Sequence, residues 1–132
     1  MILIAALVGV VSGAGLIWLM HREGMLAERS GAAILLAAIA LFYPVFAAAE
    51  GDWLAFALHI LIFGGFAFLA IRAYHKSMVL LAGGIIAHGI FDILSGAISA
   101  PGPVWWPAFC AGVDIAAGVL MLRLIQTGKI PE

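Results

Sequence analysis

The chain has 132 residues, of which 66% are hydrophobic and only 10% charged, and its formal net charge is −1. A soluble domain is about half apolar and about a quarter charged, so this composition describes a single integral membrane domain. No basic patch is present to neutralise phosphates, which excludes nucleic acid as a partner, and the lone cysteine, Cys110, excludes an intrachain disulfide.

A helix crossing about 30 Å of hydrocarbon needs about 20 apolar residues. The first qualifying stretch runs from Met1 to Met20. It begins MILIAALVGV with no basic residue ahead of it, which predicts a retained span rather than a signal peptide. Gly9 and Gly13 form a GxxxG pair there, with Ser12 and Gly15 beside it. Such a pair serves either close packing inside a bundle or a homodimer face. The second stretch runs from Gly31 to Ala49, and Pro44 predicts a kink that frees one carbonyl. The third is Trp53 to Ile71 and the fourth Met78 to Ile98. Gly64–Gly65 and Gly83–Gly84 predict a close approach between those two. The fifth runs from Val104 to Leu122, after a loop stiffened by Pro101, Pro103 and Pro107. The connections HREGMLAERS, EGD, RAYHKS and SAPGPV leave no room for a soluble domain. The predicted fold is an all-α membrane bundle of five transmembrane helices.

The basic residues give the orientation. Arg22 and Arg29 lie in loop 1, Arg72 and Lys76 in loop 3, and Arg123 and Lys129 beyond the fifth span. Five spans put all of them on one side of the membrane. The positive-inside rule makes that side cytoplasmic, with the N-terminus and loops 2 and 4 outside. In a bacterial cell this is a multi-pass protein of the inner (plasma) membrane. Trp18 and Tyr74 suit the inner interface as aromatic anchors, and Trp53, Trp105 and Trp106 the outer one.

Polar residues inside the spans are the informative feature. His88, Asp92 and Ser95 in IIAHGIFDILSG share one helical face at i, i+4 and i+7. At about 1.5 Å per residue, Tyr43, His59 and Asp92 lie roughly 9 Å below the outer ends of their spans, and His88 and Asp114 roughly 15 Å. Glu50 closes the second span at the same side. Four spans thus send ionisable groups into one half of the bundle, and the other half has none away from the interface. A carboxyl group at the bilayer centre costs about 2.5–3.5 kcal/mol on insertion scales, so two of them near a histidine predict function. This pattern predicts an outward-opening pocket, with Trp105 and Trp106 walling its mouth and Ser95 facing it.

Two interacting carboxyls, one protonated and one not, provide a general acid and a general base. Asp92 and Asp114 are the expected pair, His88 orients Asp92, and Glu50, His59 and Tyr43 support them. Such a pair suits opening of an epoxide by water, or an isomerisation or cyclisation of an apolar molecule. The expected partners are therefore a hydrophobic small-molecule substrate, the lipid bilayer and a second copy of the chain in a homodimer.

The AHGIFD segment followed by PGPVWWPAFCAGVD resembles a family of small membrane proteins of bacteria and fungi, catalogued as of unknown function. Some fungal members belong with membrane-bound epoxide hydrolases of polyketide pathways. The resemblance implies His88, Asp92 and Asp114 as shared polar positions, with Glu50 as a further one, and leaves the substrate open.

The alternative function is a proton-coupled small-molecule transporter or an ion-pathway subunit, since intramembrane acids and histidines mark such pathways. Against it stands the bare inner half, because a complete path needs polar groups in both leaflets. His59, His88, Glu50, Asp92 and Asp114 could bind zinc or iron, yet their spacing matches no sharp motif. Nor are the histidine-rich boxes of a membrane di-iron hydroxylase present. A b-type haem between His59 and His88 would bridge unequal depths, and neither Lys76 nor Lys129 lies within a span to carry retinal. No metal or other cofactor is expected.

Overall fold

A computed structural model describes residues 1–132 as helices and short connections, with no strand. The helices are α1 (Ile2–Arg22), α2 (Arg29–Ala40), α3 (Phe42–Glu50), α4 (Trp53–Tyr74), α5 (Met78–Ile98) and α6 (Trp106–Gln126). The predicted spans agree with them to within a few residues. Taken together, α2 and α3 form one membrane-length unit, so five units are long and apolar enough to span a bilayer.

The break between α2 and α3 has a covalent cause. Pro44 has no N–H to return to the Ala40 carbonyl, and Leu41 N–H turns to Ala38 at 3.2 Å instead. The kink expected from Pro44 is therefore present. Side chains cap two of the other helices. Asp52 accepts from Ala55 N–H at 2.9 Å, and Ser77 from Leu80 N–H at 3.2 Å. Gly51 ends α3 with φ 73°, a left-handed cap that costs a glycine little.

The helices do not pack in simple chain order. The principal partner of α1 is α6, at the far end of the sequence. α6 also packs on α5, α5 on α2 and α4, and both α2 and α3 on α4. Glycine makes the α1–α6 contact. A β-carbon at Gly9 would strike the Phe109 carbonyl, one at Gly13 the Val113 carbonyl, and one at Gly112 the Ala6 carbonyl. Without those atoms the two backbones can touch. Of the two uses open to the GxxxG pair, the one realised is intramolecular packing. Of the four glycines expected to let spans three and four approach, only Gly84 is at a contact that includes α4. Gly64, Gly65 and Gly83 face open space, and Gly84 meets Leu36 and Leu69.

The interior divides along the bundle axis. Sixteen buried residues, all apolar, form one cluster that includes Ile17, Leu36, Leu81, Ile85 and Met121. Loops 1 and 3 and the C-terminal segment meet at that end, where the Arg29 guanidinium donates to the main-chain oxygens of Tyr74 and Glu132. The buried polar residues lie toward the other end. Large apolar side chains such as Leu54, Leu61 and Ile98 stay on the outside, as lipid contact requires.

Candidate functional site

Each polar side chain reaches the centre from its own element. Asp92 and His88 stand one turn apart on α5, Asp114 comes from the middle of α6, and Tyr43 from the first turn of α3. Each of the four is at most 1% exposed. Gly89, next to His88, lets α6 come close: a β-carbon there would sit 3.1 Å from Asp114 Cβ and 3.2 Å from Ile115 N. The missing side chain therefore sets the spacing between the two helices that carry the site.

The hydrogen bonds pair groups of equal depth. The Tyr43 hydroxyl donates to Asp92 Oδ1 at 2.9 Å. His88 Nδ1 lies 2.7 Å from Asp114 Oδ2 and 3.4 Å from Asp92 Oδ2. One ring nitrogen thus stands between two carboxyl groups. The expectation that His88 chiefly orients Asp92 requires correction. Its shorter contact is with Asp114, and Tyr43 holds Asp92. The reason is geometric: side chains at i and i+4 lie one above the other on a single helix, whereas Asp114 approaches His88 from the side. Asp92 Oδ2 and His88 Nε2 have no hydrogen-bond partner. Such orphans are few in native interiors, and the third, Trp106 Nε1, lies outside this group, so these two atoms are the ones to explain here.

Aromatic rings enclose the group. His59 packs on Tyr43 with ring centres 5.2 Å apart, and Phe66 meets His88 edge-on at 4.8 Å. Phe91 packs against both imidazoles. His59 is buried yet makes no hydrogen bond to Asp92 or Asp114. Glu50 is exposed and outside the cluster. Its Oε1 accepts from Gly102 N–H at 2.8 Å, which ties loop 4 to the end of α3. Trp106 turns inward onto Phe42, Phe46 and Phe109, and Trp105 packs on Trp106 and Phe109. Ser95 is half-buried, with no side-chain partner.

An apolar crevice of about 420 Å³ adjoins the cluster between α1, α5 and α6. Its lining includes Asp92, Ile93 and Gly96 of α5, Ala6 and Val10 of α1, and Ala111 of α6. Asp92 is the only member of the polar cluster among the lining residues. Ile2, Ile93 and Val104 at its edge are more than half exposed on the outer surface of the bundle. The crevice is therefore open sideways, toward the face that lipid would cover. Trp105, Trp106 and Ser95 do not line it. No known protein family, curated protein or solved structure matches the chain.

The chemistry of the group must then be read from its own atoms. His88, Asp92 and Asp114 each offer a ligand atom within 4.8 Å of the others, a set that could hold a divalent ion. In the arrangement present, His88 and Asp114 are hydrogen-bonded at 2.7 Å and Asp92 Oδ2 stands 3.4 Å from the same nitrogen. What the geometry provides is a proton-sharing unit of two carboxyls and one imidazole.

Gly89, Phe66, Phe91 and the crevice were not foreseen from the sequence as parts of this site. Gly89 carried the one usable sign, an interior helical glycine beside a histidine. The crevice carried none, because α1 enters it through a contact across nearly the whole chain.

Proposed function

We propose that the chain is an integral membrane enzyme that performs acid–base chemistry on an apolar small molecule, with hydrolysis of an epoxide as the leading reaction. The observation that carries this reading is a fully buried pair of carboxyls flanking one imidazole nitrogen, with one carboxyl residue lining an apolar crevice open to the membrane face. The choice of an epoxide rather than another ring follows the resemblance of AHGIFD and PGPVWWPAFCAGVD to the small membrane protein family.

The steps balance without a cofactor. Water attacks a ring carbon while a carboxylate takes one of its protons. The carbon–oxygen bond breaks, and the departing oxygen receives a proton from the second carboxyl group. The product is a diol, and the first carboxyl now holds the proton that the second has lost. His88 Nδ1, within 3.4 Å of both, returns that proton and resets the pair. Asp92 Oδ2 is buried and accepts no hydrogen bond, so its lone pairs are free to take a proton from water that enters from the crevice. Tyr43 holds the other oxygen of Asp92 and so fixes the direction of the free one.

Purified protein with a panel of apolar epoxides tests the proposal. Asp92→Asn and Asp114→Asn, made separately, are each expected to lower diol formation by about 10²–10⁴-fold, the usual share of general acid–base catalysis. Helical content should stay unchanged. Full turnover in both variants would sink the acid–base assignment, and substrate-driven proton flux in liposomes with no diol formed would favour the transporter.

A further inference from the structure

A second recess lies at the opposite end of the bundle, away from the polar cluster. Between α2 and α4 runs an apolar groove of about 460 Å³, lined by Ala33, Ile34 and Ala37 on one side and Ala67, Ala70 and Ile71 on the other. Facing alanines leave a slot between two helices that otherwise pack together. At the helix ends the slot meets a polar recess of about 470 Å³ that includes Glu28 and Arg29. Tyr74 and His75 line both, so the two spaces adjoin.

The combined shape is narrow and apolar along the span and cationic at its end. Arg29 and His75 face the polar recess with Glu28, and Glu132 lies beside it, its main-chain oxygen accepting from Arg29. Arg72 and Lys76 do not line the recess but neighbour Tyr74 and His75 in the chain, at the end of α4 and in loop 3. Arg29 is already held in place by the Tyr74 and Glu132 main-chain oxygens, so little side-chain freedom remains to be lost on binding. A second copy in the same membrane would bring its own basic end against this one, which disfavours it as occupant. An amphiphile with an acyl chain and a phosphate headgroup matches both parts.

We infer that this groove binds an anionic phospholipid, with one acyl chain between α2 and α4 and the phosphate against Arg29. Basic recesses between helix ends are suited to such headgroups, and a planar guanidinium pairs well with phosphate. The site is separate from the polar cluster and does not depend on the proposed reaction.

The test uses the full chain, stripped of lipid in detergent and then titrated with phosphatidylglycerol or phosphatidylcholine of identical acyl chains. Retention is read by native mass spectrometry. Phosphatidylglycerol is expected to bind one molecule per chain, about fivefold more tightly than phosphatidylcholine, the effect of about one basic contact. Arg29→Gln should abolish that preference, and Ala67→Phe, which fills the slot, should weaken retention of both lipids. Ala33→Leu replaces Ala67→Phe if helical content shows that the larger side chain unfolds the bundle. Glycerol phosphate, which has no tail, should not compete. Equal retention of the two lipids by the unaltered chain would overturn the inference. So would a preference that survives Arg29→Gln, retention untouched by a filled slot, or competition by glycerol phosphate.

Discussion

Leu81 and Asp92 are both fully buried on α5, about three turns apart. Around Leu81 every buried neighbour in the cluster is apolar, and contact is close but non-directional. Around Asp92 the neighbours are Tyr43, His88 and Asp114, with directional hydrogen bonds from Tyr43 to Asp92 and between His88 and Asp114. The apolar end gives the helices cohesion and tolerates small changes of angle. The polar end has few ways to be satisfied, since lipid offers no donors or acceptors, and so it specifies one arrangement. The difference teaches that stability and chemistry are divided along the bundle axis.

Three substitutions separate the two ends. The largest effect on stability is expected at the apolar end. Lipid is as apolar as the core, so the transfer part of a large-to-small change largely disappears and the cavity part remains. Leu81→Ala should therefore cost about 3 kcal/mol, near the lower end of such substitutions. Unfolding in mixed micelles measures it, and the folded fraction should keep its turnover. Lost turnover with unchanged stability would contradict the division.

Gly89→Ala acts where α5 and α6 meet at the site. The new methyl group must push Asp114 and Ile115 away, which should cost about 2 kcal/mol, as overpacking does. It should also lengthen the His88–Asp114 contact and lower turnover by at least tenfold. Comparing its two losses with those of Leu81→Ala shows whether the helix spacing serves the hydrogen bond or only the packing. The smallest stability effect is expected from Tyr43→Phe, about 1 kcal/mol for one buried hydrogen bond. Turnover should fall proportionately more than stability, because Asp92 loses the donor that directs its free oxygen. A stability loss with no kinetic effect would make Tyr43 a packing residue.

Much of this was legible in the residues themselves. Span lengths followed from apolar runs, and the break near Pro44 from its missing N–H. Depth along the spans put Tyr43, His59, His88, Asp92 and Asp114 in one half of the bundle, but the expected partner of His88 was Asp92, and its shorter contact with Asp114 was not foreseen. Other readings went astray for identifiable reasons. Glu50 sits at the right depth for the site but spends its carboxylate on the Gly102 N–H in loop 4. Trp106 has the composition of a pocket wall but turns onto Phe42 and Phe46. Depth along a span is additive along the chain, whereas the direction of a side chain around the helix axis depends on which neighbour packs there.

The sequence alone determined that this is a membrane bundle of five spans, with its ionisable side chains gathered in one half. Hydropathy and the rise per residue are local quantities, so they survive without knowledge of the fold. Only the tertiary structure decided that α1 lies on α6, that His88 contacts Asp114 more closely than Asp92, and that an apolar crevice adjoins the pair. Those facts depend on how the helices rotate and pair, and that is set by the close approach of glycine-bearing faces far apart in the chain.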